Sequence, residues 1–199
     1  MALAHEDHVP ASYRTDFINK VVAVSSRLGI DPNWLMIVMR FESADTFSPS
    51  VKNKYSEAYG LIQFTNVGIS GLGVTLAQLK AMTAIQQLDW VEKYLNPYKG
   101  KMVDLYAVYL AVFAPAYIGR PDAQKVYVSP TPQYTSNKAL DTNNDGIITV
   151  GEIKSVIARY IPAGYSDGKT LATTLASNSN PVALLALGVV GLFLALKKK

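Results

Sequence analysis

The sequence predicts a mainly α-helical domain followed by a C-terminal transmembrane helix. Three observations carry that expectation. Apolar residues recur at helical spacing through most of the chain. Helix start signals precede them, and no run of alternating strand residues is present. A wholly apolar segment then lies beside three terminal lysines. The 199 residues suffice for one domain with appendages. Apolar residues at 49% and charged residues at 17% exclude a disordered chain. With no cysteine, disulfides, thiol nucleophiles and cysteine-held metals are excluded. Of the net charge of +4, three units are Lys197, Lys198 and Lys199, so the rest offers no basic surface and no nucleic-acid partner is expected.

Residues 1–11 read as a flexible tail, although His5, Glu6, Asp7 and His8 bring metal-ligand chemistry into a short space. The domain is expected over 12–165. Phe17, Ile18, Val21, Val22 and Leu28 give one helix from Ser12, stopped by Gly29. Asp31 as N-cap and Pro32 in the first turn open the next, which runs to Ser43. Residues 44–59 are polar, contain Pro49, and read as a loop. Thr75 with Gln78 and Thr83 with Gln86 are capping boxes that start a short and a longer helix, the latter ending near Leu95. Met102 to Ala114 is apolar almost all round and predicts a buried central helix, ended by Pro115. A last helix is expected from Val150 to Ile161, before Pro162.

Residues 166–181 have the small, polar composition of a linker. Residues 182–199 are expected to anchor the chain in membrane lipid. Val182 to Leu196 contains no polar side chain, and its six Leu, three Val and one Phe favour insertion by roughly −3 to −6 kcal/mol. Its length of about 22 Å falls short of a hydrocarbon core of ~30 Å, a gap that lysines reaching the headgroups reduce. Gly188 and Gly191 lie three apart, so no GxxxG pairing motif is present. Oligomeric state is not legible.

Residues 141–152 fit the twelve-residue calcium loop of an EF-hand. Asp141, Asn143 and Asp145 offer side-chain oxygens, Gly146 permits the sharp turn, and Ile147 offers its carbonyl. Thr149 contributes directly or through water, and Glu152 supplies a bidentate carboxylate. Pro130 and Pro132 leave room for barely a turn of entering helix, so a structural Ca²⁺ clamp is expected rather than a paired sensor.

Glu42 is the catalytic candidate. Trp34, Val38, Leu35 and Met39 precede it at i, i+4 and i+7 spacing, which puts its carboxylate at the end of a core-facing stripe. Desolvation and the negative end of the helix dipole both favour the protonated form, as a general acid requires. A carboxylate that reaches solvent or pairs with Arg40 is the alternative from spacing alone.

Downstream, Glu42–Ser43, Phe47–Ser48–Pro49, Asn53, Ser56, Ala58 and Gly60–Leu61–Ile62–Gln63–Phe64 resemble the lysozyme-like lytic transglycosylases, over about Thr15 to Ile118 and in a phage-type wording. The resemblance implies a lysozyme-like domain whose partner is the peptidoglycan glycan strand. It implies that Glu42 protonates the glycosidic oxygen between N-acetylmuramic acid and N-acetylglucosamine. The carboxylate would then take a proton from the sugar 6-hydroxyl, or from water in a muramidase. Ser56, Gly60 and Gln63 match positions that line the sugar cleft. The third family motif is altered: Leu110–Ala111–Val112–Phe113–Ala114–Pro115 has Phe113 in place of a tyrosine and Ala114 in place of an asparagine. Tyr106, Tyr109 and Tyr117 are candidates for the missing hydroxyl, with Tyr109 and Phe113 expected against substrate. With the anchor, these features suggest a virion-associated enzyme on the internal membrane of a bacteriophage. The alternative expectation is a catalytically inactive calcium-binding wall-attachment or virion structural protein.

Overall fold

The computed structural model describes residues 2–54 and 56–165. The expected linker (166–181) and membrane anchor (182–199) lie outside them. Among the described residues no helix is long and apolar enough to cross a membrane.

The described chain is mainly helical. Its α-helices are α1 (Arg14–Leu28), α2 (Pro32–Glu42), α3 (Leu76–Ala81), α4 (Ala84–Leu95), α5 (Leu105–Phe113), α6 (Pro132–Asn137) and α7 (Val150–Ala158). Each begins or ends on local chemistry. Gly29 takes a φ of 73° after α1 and donates to the Ser25 and Ser26 carbonyls. The Asp31 side chain accepts from the Asn33 N–H at 2.8 Å. Thr75–Gln78 and Thr83–Gln86 both close reciprocal capping boxes. A third box, Thr149 with Glu152, starts α7.

Helix α1 packs on α4 and α2, α2 on α5, and α7 on both α2 and α5. Helix α5 is therefore enclosed, with Leu105, Val108, Tyr109, Leu110, Ala111 and Phe113 all buried. That is the burial expected of a segment with no polar face. A two-stranded antiparallel ribbon, β1 (Lys125–Val128) and β2 (Ile147–Thr149), joins the calcium-type loop to the body. Strand β1 is only four residues, too short for alternation to mark it.

Residues 2–9 are docked rather than loose, which differs from the flexible tail expected of the sequence. Val9 is fully buried and Ala4 nearly so. The Ala4 N–H donates to Asn33 Oδ1 at 2.8 Å, and Arg14 donates to the Val9 carbonyl. Apolar anchors at only two positions gave no periodic signal, yet they hold this segment against α2.

Candidate active site

Helix α2 is apolar on the face it turns inward, where Trp34, Leu35, Val38 and Met39 are buried. Glu42 is its last residue and is only 6% exposed. Among the described residues none donates a hydrogen bond to its carboxyl, and burial pushes its pKa well above the ordinary value. The chain then turns sharply. Ser43 Oγ accepts from the Phe47 N–H at 2.9 Å, and the Asp45 N–H returns to the Arg40 carbonyl at 2.9 Å. Ala44, Asp45 and Phe47 all sit at positive φ (50°, 65° and 49°), a conformation that costs a non-glycine residue roughly 1–2 kcal/mol. The Glu–Ser pair thus combines an acid with the hydroxyl that holds the turn behind it.

Tyr109 on α5 is the phenol brought to this acid. Its ring is fully buried, stacked on Phe113 (5.8 Å between centroids, 17° between planes) and edge-on to Phe41 at 5.4 Å. Its hydroxyl is buried without a hydrogen-bond partner among the described residues. Burial first, and then the charge of Glu42, push its pKa well upward. The other two tyrosines point elsewhere: Tyr117 donates to the Val126 carbonyl at 3.5 Å, and Tyr106 lies under the Lys154 ammonium. Phe113 is buried against Tyr109 and the Tyr127 ring, so it serves as packing for that phenol. Tyr94 and Tyr160 also feel the charge of Glu42.

Ser56, Gly60 and Gln63 gather on a second segment. Tyr59 and Phe64 exchange backbone hydrogen bonds at 3.0 and 2.8 Å, closing a tight hairpin. At its tip Gln63 takes a φ of 51° and donates to the Gly60 carbonyl at 3.1 Å. Its Oε1 and the Ser56 Oγ are buried and have no partner among the described residues. A buried polar atom left in this way costs about 1–3 kcal/mol, and such atoms concentrate where a ligand can satisfy them. No hydrogen bond joins this hairpin to Glu42 among the described residues.

Gly60 has a different reason from the one expected. At φ 81°, an added Cβ would lie 2.4 Å from Gln87 Oε1, so the missing side chain makes room for a protein amide. Gln87 is fully buried on α4. It donates to the Pro49 and Leu79 carbonyls at 2.6 and 2.8 Å and accepts from the Leu61 N–H at 3.1 Å. Sequence reasoning missed it. Its signal was a glutamine on the same helical face as Ala84, Leu88, Val91 and Leu95. Beyond the hairpin, Val67, Ser70, Leu72, Tyr94, Tyr98 and Pro115 line a pocket of about 310 Å³. Gly68 lets the loop approach Tyr94, since a Cβ there would meet the ring at 3.1 Å.

The calcium-type loop follows the course its sequence demands. Gly146 takes a φ of 84°, and Asp141 Oδ2 accepts from the Gly146 N–H at 2.9 Å. Asn143 Oδ1 accepts from the Asp145 N–H and Asp145 Oδ1 from the Ile147 N–H. The Tyr134 hydroxyl donates to Asp141 at 2.7 Å and holds that carboxyl below its usual pKa. Glu152 turns to the Thr142 and Thr149 N–H groups, each at 2.9 Å. Among the described residues no three acidic or imidazole side chains form a group able to hold a metal ion. For the loop to hold a hard cation, Asp141, Asn143 and Asp145 would supply side-chain oxygens, and Glu152 would have to leave its capping bonds to become bidentate.

Comparison with known protein families, with curated proteins and with solved structures found no match.

Proposed function

We propose that this chain is a lysozyme-like peptidoglycan-cleaving enzyme, a lytic transglycosylase or muramidase, with Glu42 as its proton donor. The observation that carries the reading is the buried carboxyl of Glu42, without a hydrogen-bond donor among the described residues and pushed toward its protonated form. A glycosidic oxygen needs a proton as its bond to the anomeric carbon breaks, and a carboxyl that keeps its proton above the ordinary carboxylate range can supply it. The N-acetyl group of the sugar can stabilise the cationic anomeric carbon, so a second carboxylate is not obligatory. The Glu42 carboxylate then takes a proton from the 6-hydroxyl as the anhydro ring closes, or from water. The buried Tyr109 hydroxyl, which feels the Glu42 charge, is in this reading the group that donates to the carboxylate once it is charged. Ser56 and Gln63 have unpaired oxygens for sugar hydroxyls, and the pocket beside Tyr94 and Tyr98 has faces on which a sugar ring can lie.

Two further roles belong to this reading. Residues 141–152 act as a structural Ca²⁺ clamp, and 182–196 anchor the enzyme in lipid, in keeping with a virion that carries an internal membrane. The altered third motif favours a second reading, in which the fold binds wall glycan without cutting it. A zymogram of wild type and Glu42→Gln separates the two. Clearing by wild type alone supports the enzyme, and clearing by neither supports the binding protein. Mass spectrometry of the products then separates anhydro ends from reducing ends.

A further inference from the structure

His5 lies on the docked N-terminal segment, and both of its ring nitrogens are engaged. Nε2 is 2.6 Å from the Tyr160 carbonyl, and Arg40 Nη1 lies 2.6 Å from Nδ1 and 3.2 Å from Nε2. A carbonyl only accepts and a guanidinium only donates. In the neutral ring, Nε2 gives its proton to the Tyr160 carbonyl and Nδ1 is left to accept from Arg40. Arg40 in turn donates through Nε to Asp45 Oδ1 at 2.6 Å, and the Asp45 N–H bonds the Arg40 carbonyl. Those two residues bracket Glu42 and close the turn in which Ala44 and Asp45 sit at positive φ.

We propose that His5 is a positioning residue for Glu42 and makes the site pH-sensitive: neutral His5 holds Arg40 on Asp45, and protonated His5 lets the turn go. A proton on Nδ1 removes the acceptor and sets two cations side by side. The charged and titratable groups around the ring are Arg40 from α2, with Asp45 behind it, Asp7 and His8 on its own segment, and Tyr160 after α7. The hydrogen bond to the Tyr160 carbonyl and, more weakly, Asp7 favour the imidazolium. Burial, Arg40 and His8 oppose it, and the net effect lies below the ordinary value of 6.5. The neutral ring thus contributes stability that is complete above pH 6.5 and lost as pH falls through the value in the folded protein. Regulation of the cleavage step rests on the function proposed above, whereas the strap itself does not.

The test uses the full chain and His5→Gln, whose amide oxygen can still accept from Arg40 and does not titrate. Imidazole NMR titration, melting temperature and clearing of purified peptidoglycan are each followed between about pH 5 and 7. Wild type is expected to titrate His5 below 6.5 and to lose clearing on the order of tenfold as it does so. His5→Gln is expected to flatten both the melting and the clearing profiles. A His5 midpoint at or above 6.5, or superimposable profiles for the two proteins, overturns the proposal. Should His5→Gln fail to fold, the wild-type midpoint decides alone. A chain that clears no wall at any pH, yet keeps the His5-dependent melting profile, removes the enzymatic reading and leaves the strap standing.

Discussion

Glu42→Gln tests the acid through folding stability, without a substrate. The carboxyl is 6% exposed, receives no hydrogen bond from any described residue, and has its pKa raised by burial above the ordinary 4.5. In the unfolded chain it ionises near 4.5, and in the folded protein it holds its proton to a higher pH. Its contribution is therefore complete below pH 4.5 and is lost as pH rises toward the folded value. Between the two values the loss is about 1.4 kcal/mol per pH unit. In a chain of this size that is about 3–6 °C of melting temperature per unit. Glutamine has nearly the same shape and no titration, and burying its unpaired amide adds a constant offset of about 1–3 kcal/mol. The assay is melting temperature against pH for both proteins, with the difference curve taken so that His5 and other groups cancel. Wild type should lose ground to the variant steadily above pH 4.5. Parallel curves would refute the claim that this acid is kept neutral by its surroundings.

Tyr109→Phe removes a buried hydroxyl that has no partner, so melting temperature should hold or rise by about 2–4 °C while wall clearing falls on the order of tenfold or more. Unchanged clearing with lower stability would assign the phenol to packing alone. Gly60→Ala should cost about 2–4 kcal/mol, read by denaturant titration, because the new methyl meets the Gln87 amide and the φ of 81° is strained. A loss under about 1 kcal/mol would mean that Gln87 moves aside without giving up its three bonds. Adding Ca²⁺ should raise the melting temperature of wild type but not of Glu152→Gln, which can still cap α7 through its amide oxygen. Equal shifts in both would put the ion elsewhere.

Local rules made most of the helical frame legible. Asp31 with Pro32, Thr75 with Gln78 and Thr83 with Gln86 carry their own capping chemistry, so their helices begin where the sequence says. The apolar face that ends in Glu42 was also readable, because its burial follows from helical period alone. What escaped depends on partners far along the chain. The docking of Ala4 on Asn33 and of His5 on Tyr160 spans up to 155 residues and has no local signature. Strand β1 exists because β2 offers it an edge. The role of Gln87 became visible only once Pro49, Leu61 and Leu79 were seen to meet around it. For the same reason, spacing left Tyr106, Tyr109 and Tyr117 equivalent, whereas the packing buries Tyr109 fully and leaves the other two half-buried.

The pairing of β2 with β1 carries a consequence for how the acidic loop works. An EF-type loop ordinarily leans on a twin, whereas here Ile148 finds its neighbour in Tyr127, whose ring rests on Phe113. Phe113 lies flat on Tyr109. The strand that closes the loop is thus seated through two aromatic rings on a buried phenol of the central helix, so displacing β2 would unpack the core beneath it.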